Sequence, residues 1–463
     1  MTSAARVREA VAVRVAPLLL RLPSLSPESI AILGAGVYVL VMGFIVVTRH
    51  LAIRTHALDL GYYVQVVWSI ASGYGPYVTF PPMHAWGDHL SPVLYLLVPL
   101  AWIAPGAIGL VIVQTLVLAA GAFAVYGYAA RRLGAVPAAA ALTLLFLVNP
   151  SLHGINLRDI HPQAFAITLI IAAALAFDAG RYAWCAAALA LTLACREDAA
   201  VAVVGFGIWL AVARGRWRLG ALLAAASVLL LAVDVMYVMP YFRGESYSHL
   251  QRYTYLGSSL GDILLSIAVR PWRWIGIVLT GSRLVYLVLM LAPLGFLSLL
   301  APRVLLAAVP GLAMNLLSVD PVLFNVRSQY QSFVLPFLVL AAVDGYTRIR
   351  EWRRAPTLLG LAFFASLLLT ARTGNDLLVR KWRLDPEDLA AYALMRQIPP
   401  DAAVSVNERL AAHLATRRQI FVYPTGLGLS EYVLDIESVL GRDPARGYRE
   451  LARDSGWILL RRD

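Results

Sequence analysis

The sequence is poor in charge. Of its 463 residues, 14% are charged and 60% hydrophobic, and the mean hydropathy is +0.71. A soluble domain carries about 25% charged residues, so an ordinary soluble fold is excluded. Lysine is nearly missing, with Lys381 the only one. The two cysteines, Cys185 and Cys195, fall in one expected helix, without zinc spacing, and read as packing residues. There is no GxxxxGK[ST] loop and no HExxH, and "GLGLS" at Gly426 to Ser430 lacks the dinucleotide pattern. ATP-driven transport therefore has no support within the chain. The apolar runs are continuous rather than alternating, which argues against a transmembrane barrel.

What is present is a series of apolar stretches of bilayer-spanning length, the pattern of a polytopic α-helical membrane protein. The net charge of +12 comes from arginines in short segments between those stretches, where they orient helices. It does not point to nucleic acid. Residues 1–28 are basic and weakly amphipathic. They lack a compact apolar core followed by a cleavage site, and are expected as a cytoplasmic segment before an uncleaved first span. The positive-inside pattern then gives about 11 spans over residues 29–370. A long first outer loop follows Thr48. In it, Leu90 to Ile103, about 14 residues, reads as an interfacial or re-entrant helix rather than a span. Tyr62, Tyr63 and Trp68 read as interfacial anchors. Residues 371–463 change composition and are expected as an extracytoplasmic α/β domain with a mainly parallel sheet. Its strands are "AAVSV", "QIFVY", "EYVLDI" and "WILLR", and its helices "NERLAAHLATR" and "ARGYRELARDSG".

This topology gathers the unusual polar residues at the outer face: Asp59, His84, Asp88, His89, Asp159, His161, Arg196, Glu197, Asp198, Arg243, Arg252 and Arg327. Ionisable groups at a membrane boundary are costly and usually functional. Each has a plainer alternative. Asp59 either caps a helix starting at Leu60 or serves in catalysis; Asp88 is a second candidate cap. Asp159 pairs with Arg158 or serves the site. Arg196, Glu197 and Asp198 form a local ion pair or line the site. Arginine binds phosphate bidentately, so the outer-loop arginines fit a lipid phosphate or, more simply, anionic headgroups.

Four stretches carry a family resemblance: "LDLGYYVQVVWSIASGYG", "GDHLSPVLYLLVPL", "LRDIHPQAFAI" and "CREDAAVAV", followed by "VSVNERLAAHLATRRQIFVYP" with "EYVLDI". In this order they resemble the domain-of-unknown-function family 2079 of predicted membrane proteins, which is similar in layout to the type C glycosyltransferases. The resemblance implies a sugar donor carried on a polyprenyl phosphate and a catalytic carboxylate in the first outer loop, here Asp59. It implies transfer to a cell-envelope glycan, lipid or protein acceptor at the outer face of the cytoplasmic membrane. Asp88, His89, Asp159, His161, Glu197 and Asp198 are then substrate-binding or supporting residues, and Arg243, Arg252 and Arg327 phosphate ligands. Asp88 and His89 are candidates for holding Mg²⁺ or Mn²⁺, although no spacing identifies a metal. The family pattern leads one to expect a histidine where "VRSQYQSFVLPF" has Gln329. The rival reading is a transporter or flippase of lipid-linked sugars, which would spread polar groups through the membrane midplane.

Overall fold

The computed structural model describes residues 25–134, 136–378, 383–442 and 445–463, with side chains left aside for 372–378. The expected cytoplasmic segment 1–28 lies almost wholly outside the described residues.

The first long helix, Pro27–Leu51, has a conventional start. Ser26 accepts a hydrogen bond from the Ser29 amide, Pro27 occupies the first turn, and Arg49 and His50 lie at the C-terminal end. Among the described residues, it and the helices Ala107–Leu133 and Trp217–Arg243 are each long and apolar enough to cross a bilayer. Two further pairs are bent: Pro137–Leu147 with Pro150–Asn156, at 44°, and Pro271–Val278 with Gly281–Leu294, at 66°. Shorter apolar helices, including Pro162–Asp178, Tyr182–Leu193 and Pro302–Leu316, complete the bundle. Its centre is Ala107–Leu133, packed against Pro27–Leu51, Phe165–Asp178 and Leu335–Ile349.

The segment that follows the first long helix, expected as an outer loop, is not one helix. A π-turn at Ala57–Gly61 runs into the helix Tyr62–Ala71, and a hairpin follows, β1 (Tyr77–Thr79) and β2 (Pro82–His84). The expected re-entrant segment is a 3-10 turn, Pro92–Leu97, and a single helical turn, Leu100–Ile103, with Trp102 and Ile103 exposed. Tyr62 and Tyr63, expected as interfacial anchors, are instead buried at 3% exposure each, beneath this loop.

The C-terminal residues form a five-stranded sheet in the order β4-β3-β5-β7-β6, from β3 (Val404–Val406), β4 (Ile420–Val422), β5 (Tyr432–Ile436), β6 (Tyr448–Asp454) and β7 (Trp457–Arg462). Two expectations are corrected. β3 is parallel to β4 and β5, but β5–β7 and β6–β7 are antiparallel, so the sheet is mixed. And "ARGYRELARDSG", expected as a helix, is strand β6. A tight turn with Ser455 and Gly456 at positive φ (44° and 84°) folds it onto β7, and that pairing overrides the helix propensity of its Arg, Glu, Leu and Ala residues.

This sheet unit docks on residues 50–80, at and after the end of the first long helix. Arg54 reaches Asp385 (3.3 Å) and Asp388 (3.5 Å), and Gln65 donates to the Arg417 carbonyl (3.2 Å). The Ile420 amide donates to Thr79 (3.1 Å), and the His50 and His413 rings stack at 4.0 Å. Gly61 permits the approach: a Cβ there would lie 3.2 Å from the Ala412 nitrogen and 3.3 Å from the Phe80 ring.

Gly154 performs a similar service inside the bundle. A Cβ there would sit 2.4 Å from the Arg327 Cα, so the helix Pro150–Asn156 touches the backbone of the 327 segment. In an open helix position Gly→Ala gains about 1 kcal/mol from propensity. At Gly154 the obstacle is backbone, which cannot swing aside, and overpacking of about 3 kcal/mol wins. Gly154→Ala is expected to lower the thermal midpoint of the purified protein by several degrees. Gly36→Ala, with nothing within 4 Å of its Cβ, is expected to leave it unchanged or raise it.

Candidate active site

The site starts at a strained turn. Asp159 has φ +62°, a left-handed conformation that asparagine and aspartate tolerate better than other side-chain-bearing residues. Gln114, from the helix Ala107–Leu133, holds this turn from both sides. Its Nε2 donates to the Asp159 carbonyl (2.6 Å) and its Oε1 accepts from the His161 amide (2.7 Å). The Asp159 carboxylate accepts from the His56 amide (3.2 Å). Asp159 therefore bonds His56 backbone rather than pairing with its neighbour Arg158. Burial, with lesser contributions from its neighbours, pushes its carboxyl above the ordinary range.

With the turn fixed, the buried His161 is directed at Asp59: Nε2 lies 3.3 Å from Oδ1. The His161 side chain is 4% exposed and that of Asp59 is 42% exposed. Asp59 sits inside the π-turn, whose cap is His56, so it does not cap a helix beginning at Leu60. π-turns are frequent at functional positions. Burial alone would raise the Asp59 carboxyl. The hydrogen bond and charge of His161, then His56 and Arg158, hold it below its ordinary value, so it is ionised at neutral pH. His161 Nδ1 is buried without a hydrogen-bond partner among the described residues.

A second cluster lies across Tyr63, which is within electrostatic reach of Asp59, Asp88, Glu197 and Arg196 together. Glu197 has a fully buried carboxylate and three ligands: His89 Nδ1 (3.0 Å), the Leu90 amide (3.1 Å) and the Tyr247 hydroxyl (3.0 Å). Burial opposes both charges of the His89–Glu197 pair, but mutual attraction prevails. The imidazole is raised, and the carboxyl is held below its usual range. The His89 and His249 rings stack at 4.9 Å and 3°. Asp88 is 3.6 Å from Arg243 and 4.0 Å from His249. It closes the 3-10 turn Ala85–Gly87 at its C-terminal end and does not cap the next turn, whose N-cap is Ser91.

Of the expected local triplet, Arg196 and Asp198 do pair, through two contacts, while Glu197 turns to His89. The guanidiniums of Arg196 (5.3 Å) and Arg252 (5.2 Å) both lie over the Tyr330 ring, and Arg252 also pairs with Asp320 (3.3 Å). Asp198, Tyr247, His249, Arg252 and Tyr330 form the polar part of a cavity of about 370 Å³. Tyr253 also lines it, and its other walls are mainly aliphatic, among them Val228, Leu231, Val235 and Leu264. Arg243 and Arg327 are outside this lining. Arg327 instead sits where its backbone meets Gly154. Asp88, His89 and His249 present ligand atoms within 4.8 Å of one another, and His249 Nε2 is buried without a hydrogen bond among the described residues. Carboxylate with imidazole is a donor set suited to a divalent cation.

Gln114, Tyr63, Tyr247, His249 and Tyr330 were not among the candidates drawn from the sequence. Gln114 carried a usable signal, since it and Thr115 are lone polar residues in a long apolar run. His249 stood out only as part of a polar loop with Arg243 and Arg252, and Tyr330 gave no signal, because its partners lie far away in sequence.

The fold has relatives among solved structures. ArnT from Cupriavidus metallidurans bound to undecaprenyl phosphate matches with TM-score 0.55 and 14% identity, over 93% of this chain and 97% of that one. The same protein in the apo state matches with TM-score 0.57 at the same identity and coverage. The similarity is in the fold, the type C glycosyltransferase architecture expected above. No curated protein sequence matches the chain. A family model described as "Predicted membrane protein (DUF2079)" matches residues 49–454. The chain belongs to the DUF2079 family of predicted membrane proteins.

Proposed function

We propose that the protein transfers a sugar from a polyprenyl-phosphate donor to a cell-envelope glycan, lipid or protein acceptor. The reaction takes place at the outer face of the cytoplasmic membrane. Counting the shorter apolar helices, the chain makes about 11 crossings, and the C-terminal sheet domain is extracytoplasmic, beside the site. One observation carries the reading: an ionised, part-exposed carboxylate, Asp59, is fixed by a buried histidine in a chain that also holds an aliphatic cavity with an arginine–tyrosine end. A lipid-linked phosphate has the same division, an apolar tail and an anionic head.

In the reaction an acceptor hydroxyl attacks the anomeric carbon. The new bond forms to the acceptor oxygen, the bond to the phosphate oxygen breaks, and Asp59 takes the hydroxyl proton. Its lowered pKa makes Asp59 a weak base. That suffices where the anomeric carbon is already cationic in the transition state, as in glycosyl chemistry generally. The leaving polyprenyl phosphate gains negative charge, which Arg252 at the cavity is best situated to stabilise. Arg243 and Arg327 are the other phosphate ligands of this proposal, and Arg243 already shares its charge with Asp88. His161 orients Asp59. Asp159, through Gln114, sets His161. Glu197 holds His89, and Asp198 holds Arg196. A divalent cation, Mg²⁺ or Mn²⁺, fits Asp88, His89 and His249, with Glu197 behind His89 as carboxylates commonly stand behind a metal-bound imidazole. Bound there, it would offset phosphate charge.

The deciding experiment incubates purified protein with a panel of polyprenyl-phosphate sugars and acceptors. Wild type is expected to transfer sugar, and Asp59→Asn to lose at least 100-fold in rate, within the range ascribed to a positioned base, while retaining its thermal midpoint. Undiminished transfer by folded Asp59→Asn would remove Asp59 as the base; lipid-sugar movement across vesicles without transfer would favour the transporter.

For the cation, Mn²⁺ titrated into the purified protein is expected to bind at one site by electron paramagnetic resonance. His249→Ala, which removes one of the three donors, is expected to weaken that binding at least tenfold. Unchanged Mn²⁺ binding in the variant would exclude these ligands.

A further inference from the structure

The helices that frame the polar site have their other ends at a second, basic cavity. Gln114 and Arg132 lie on the same helix, 18 residues apart, about 27 Å at 1.5 Å per residue. The helix Phe165–Asp178 starts near His161 and ends at Asp178, and Leu335–Ile349 ends with Asp344 and Arg348. At this far end a cavity of about 500 Å³ is lined by Arg132, Arg214, Arg303, Arg348, Asp344 and Thr347, with Ala213, Ala301 and Val304.

Only part of that charge is offset. Arg214 makes two 2.7 Å bonds to Asp178, and Arg132 is 3.0 Å from Asp344. Arg303 and Arg348 have no ion pair or hydrogen-bonded side-chain partner among the described residues, and both are exposed. Four guanidiniums thus face two carboxylates, leaving two positive charges over one cavity. Arginines that merely orient helices need only lie in loops. These converge, and Arg214 is stacked over the Trp209 ring at 4.2 Å, which fixes one wall.

What lies next door identifies the source of the anion. The turn Arg214–Gly215–Arg216 separates the cavity from an apolar groove of about 950 Å³, walled by residues such as Phe177, Leu189, Phe206 and Leu223. Arg216 and Arg218 stand at its polar rim. A ligand with a phosphate and an acyl chain would occupy both spaces at once, and a soluble anion only the first.

We propose that this end of the bundle is a binding site for an anionic phospholipid of the leaflet opposite the polar site. Its phosphate lies among Arg214, Arg303 and Arg348, and one acyl chain lies in the groove beside Cys185 and Leu189. Basic pockets between membrane helices are a recurrent way to hold such headgroups. The assignment is independent of any role for Asp59.

The test uses the full chain in a mild detergent, with phosphatidylglycerol, phosphatidylcholine or soluble glycerol phosphate added, read by thermal unfolding and by native mass spectrometry. A ligand that binds only the folded state raises its stability. Phosphatidylglycerol is expected to raise the midpoint by several degrees and to remain bound in the mass spectrum, and the other two to do neither. The Arg303→Gln, Arg348→Gln double variant changes exposed side chains. It is expected to fold with the wild-type midpoint and to bind phosphatidylglycerol at least tenfold more weakly. Arg449→Gln, on the exposed strand β6, is the control and is expected to behave as wild type. Equal stabilisation by phosphatidylcholine, equal stabilisation by glycerol phosphate, or undiminished phosphatidylglycerol binding in the double variant would each overturn the proposal.

Discussion

A carboxylate that stays ionised at the end of an apolar bundle has to be given its counter-groups by the fold, because desolvating a charge costs several kcal/mol. Asp59 is the case on which the rest of the site depends. Its partner, His161, is buried, and its orientation is set by a backbone turn in a left-handed conformation. A residue in such a conformation costs about 1–3 kcal/mol and persists only where its surroundings over-determine it. Here they do so through two bonds from Gln114 and one from the His56 amide. The position of one glutamine on a central helix thereby controls the geometry of a carboxylate on a different segment. The C-terminal sheet domain closes the other side, resting on Gly61 two residues beyond Asp59.

The cluster across Tyr63 solves the same problem differently. Glu197 is more deeply buried than Asp59 and is matched by three donors or cations, which leaves no free face for proton transfer. Its role is to hold His89. Asp59, with one partner and a side chain part open to solvent, keeps a face for an acceptor. Between these two carboxylates the difference in exposure, more than in charge, separates a reacting group from a supporting one.

Much of this was legible in the sequence, for physical reasons. Apolar run length disclosed an apolar helical bundle, though among the described residues only three helices, or five counting the bent pairs, are long enough to cross a bilayer. The four apolar strands of the C-terminal unit lie where their β-branched and aromatic residues implied. β6 was not legible. "YRELARD" is largely exposed and charged, so it offers no alternating buried face, and its strand state is imposed by β7 through a two-residue turn. The polar site divides along the same line. Asp59, His161, His89 and Glu197 stood out as costly groups in an apolar chain. Their pairing did not, because His89 and Glu197 are 108 positions apart and the local expectation joined Glu197 to Arg196. The extended backbone at Arg196 (φ −169°, ψ 156°) precedes a turn in which Asp198 takes Arg196 and Glu197 is left to His89. The burial of Tyr62 and Tyr63 is not legible for a related reason: an amphipathic ring beside a span suits a membrane interface as well as a pocket under a loop.

The two ends of the bundle are electrostatically unlike. At the Asp59 end, acids, imidazoles and arginines are largely compensated one by one. At the Arg132 end, guanidiniums outnumber carboxylates within a single cavity. Long-range attraction across about 27 Å is screened beyond roughly 10 Å where water reaches it, so neither end neutralises the other. Each must find its own counter-charges locally. The first end meets this demand largely within the protein, which suits a site whose geometry is fixed before a ligand arrives. The second leaves it partly unmet, which suits a surface that takes its remaining anions from outside the chain.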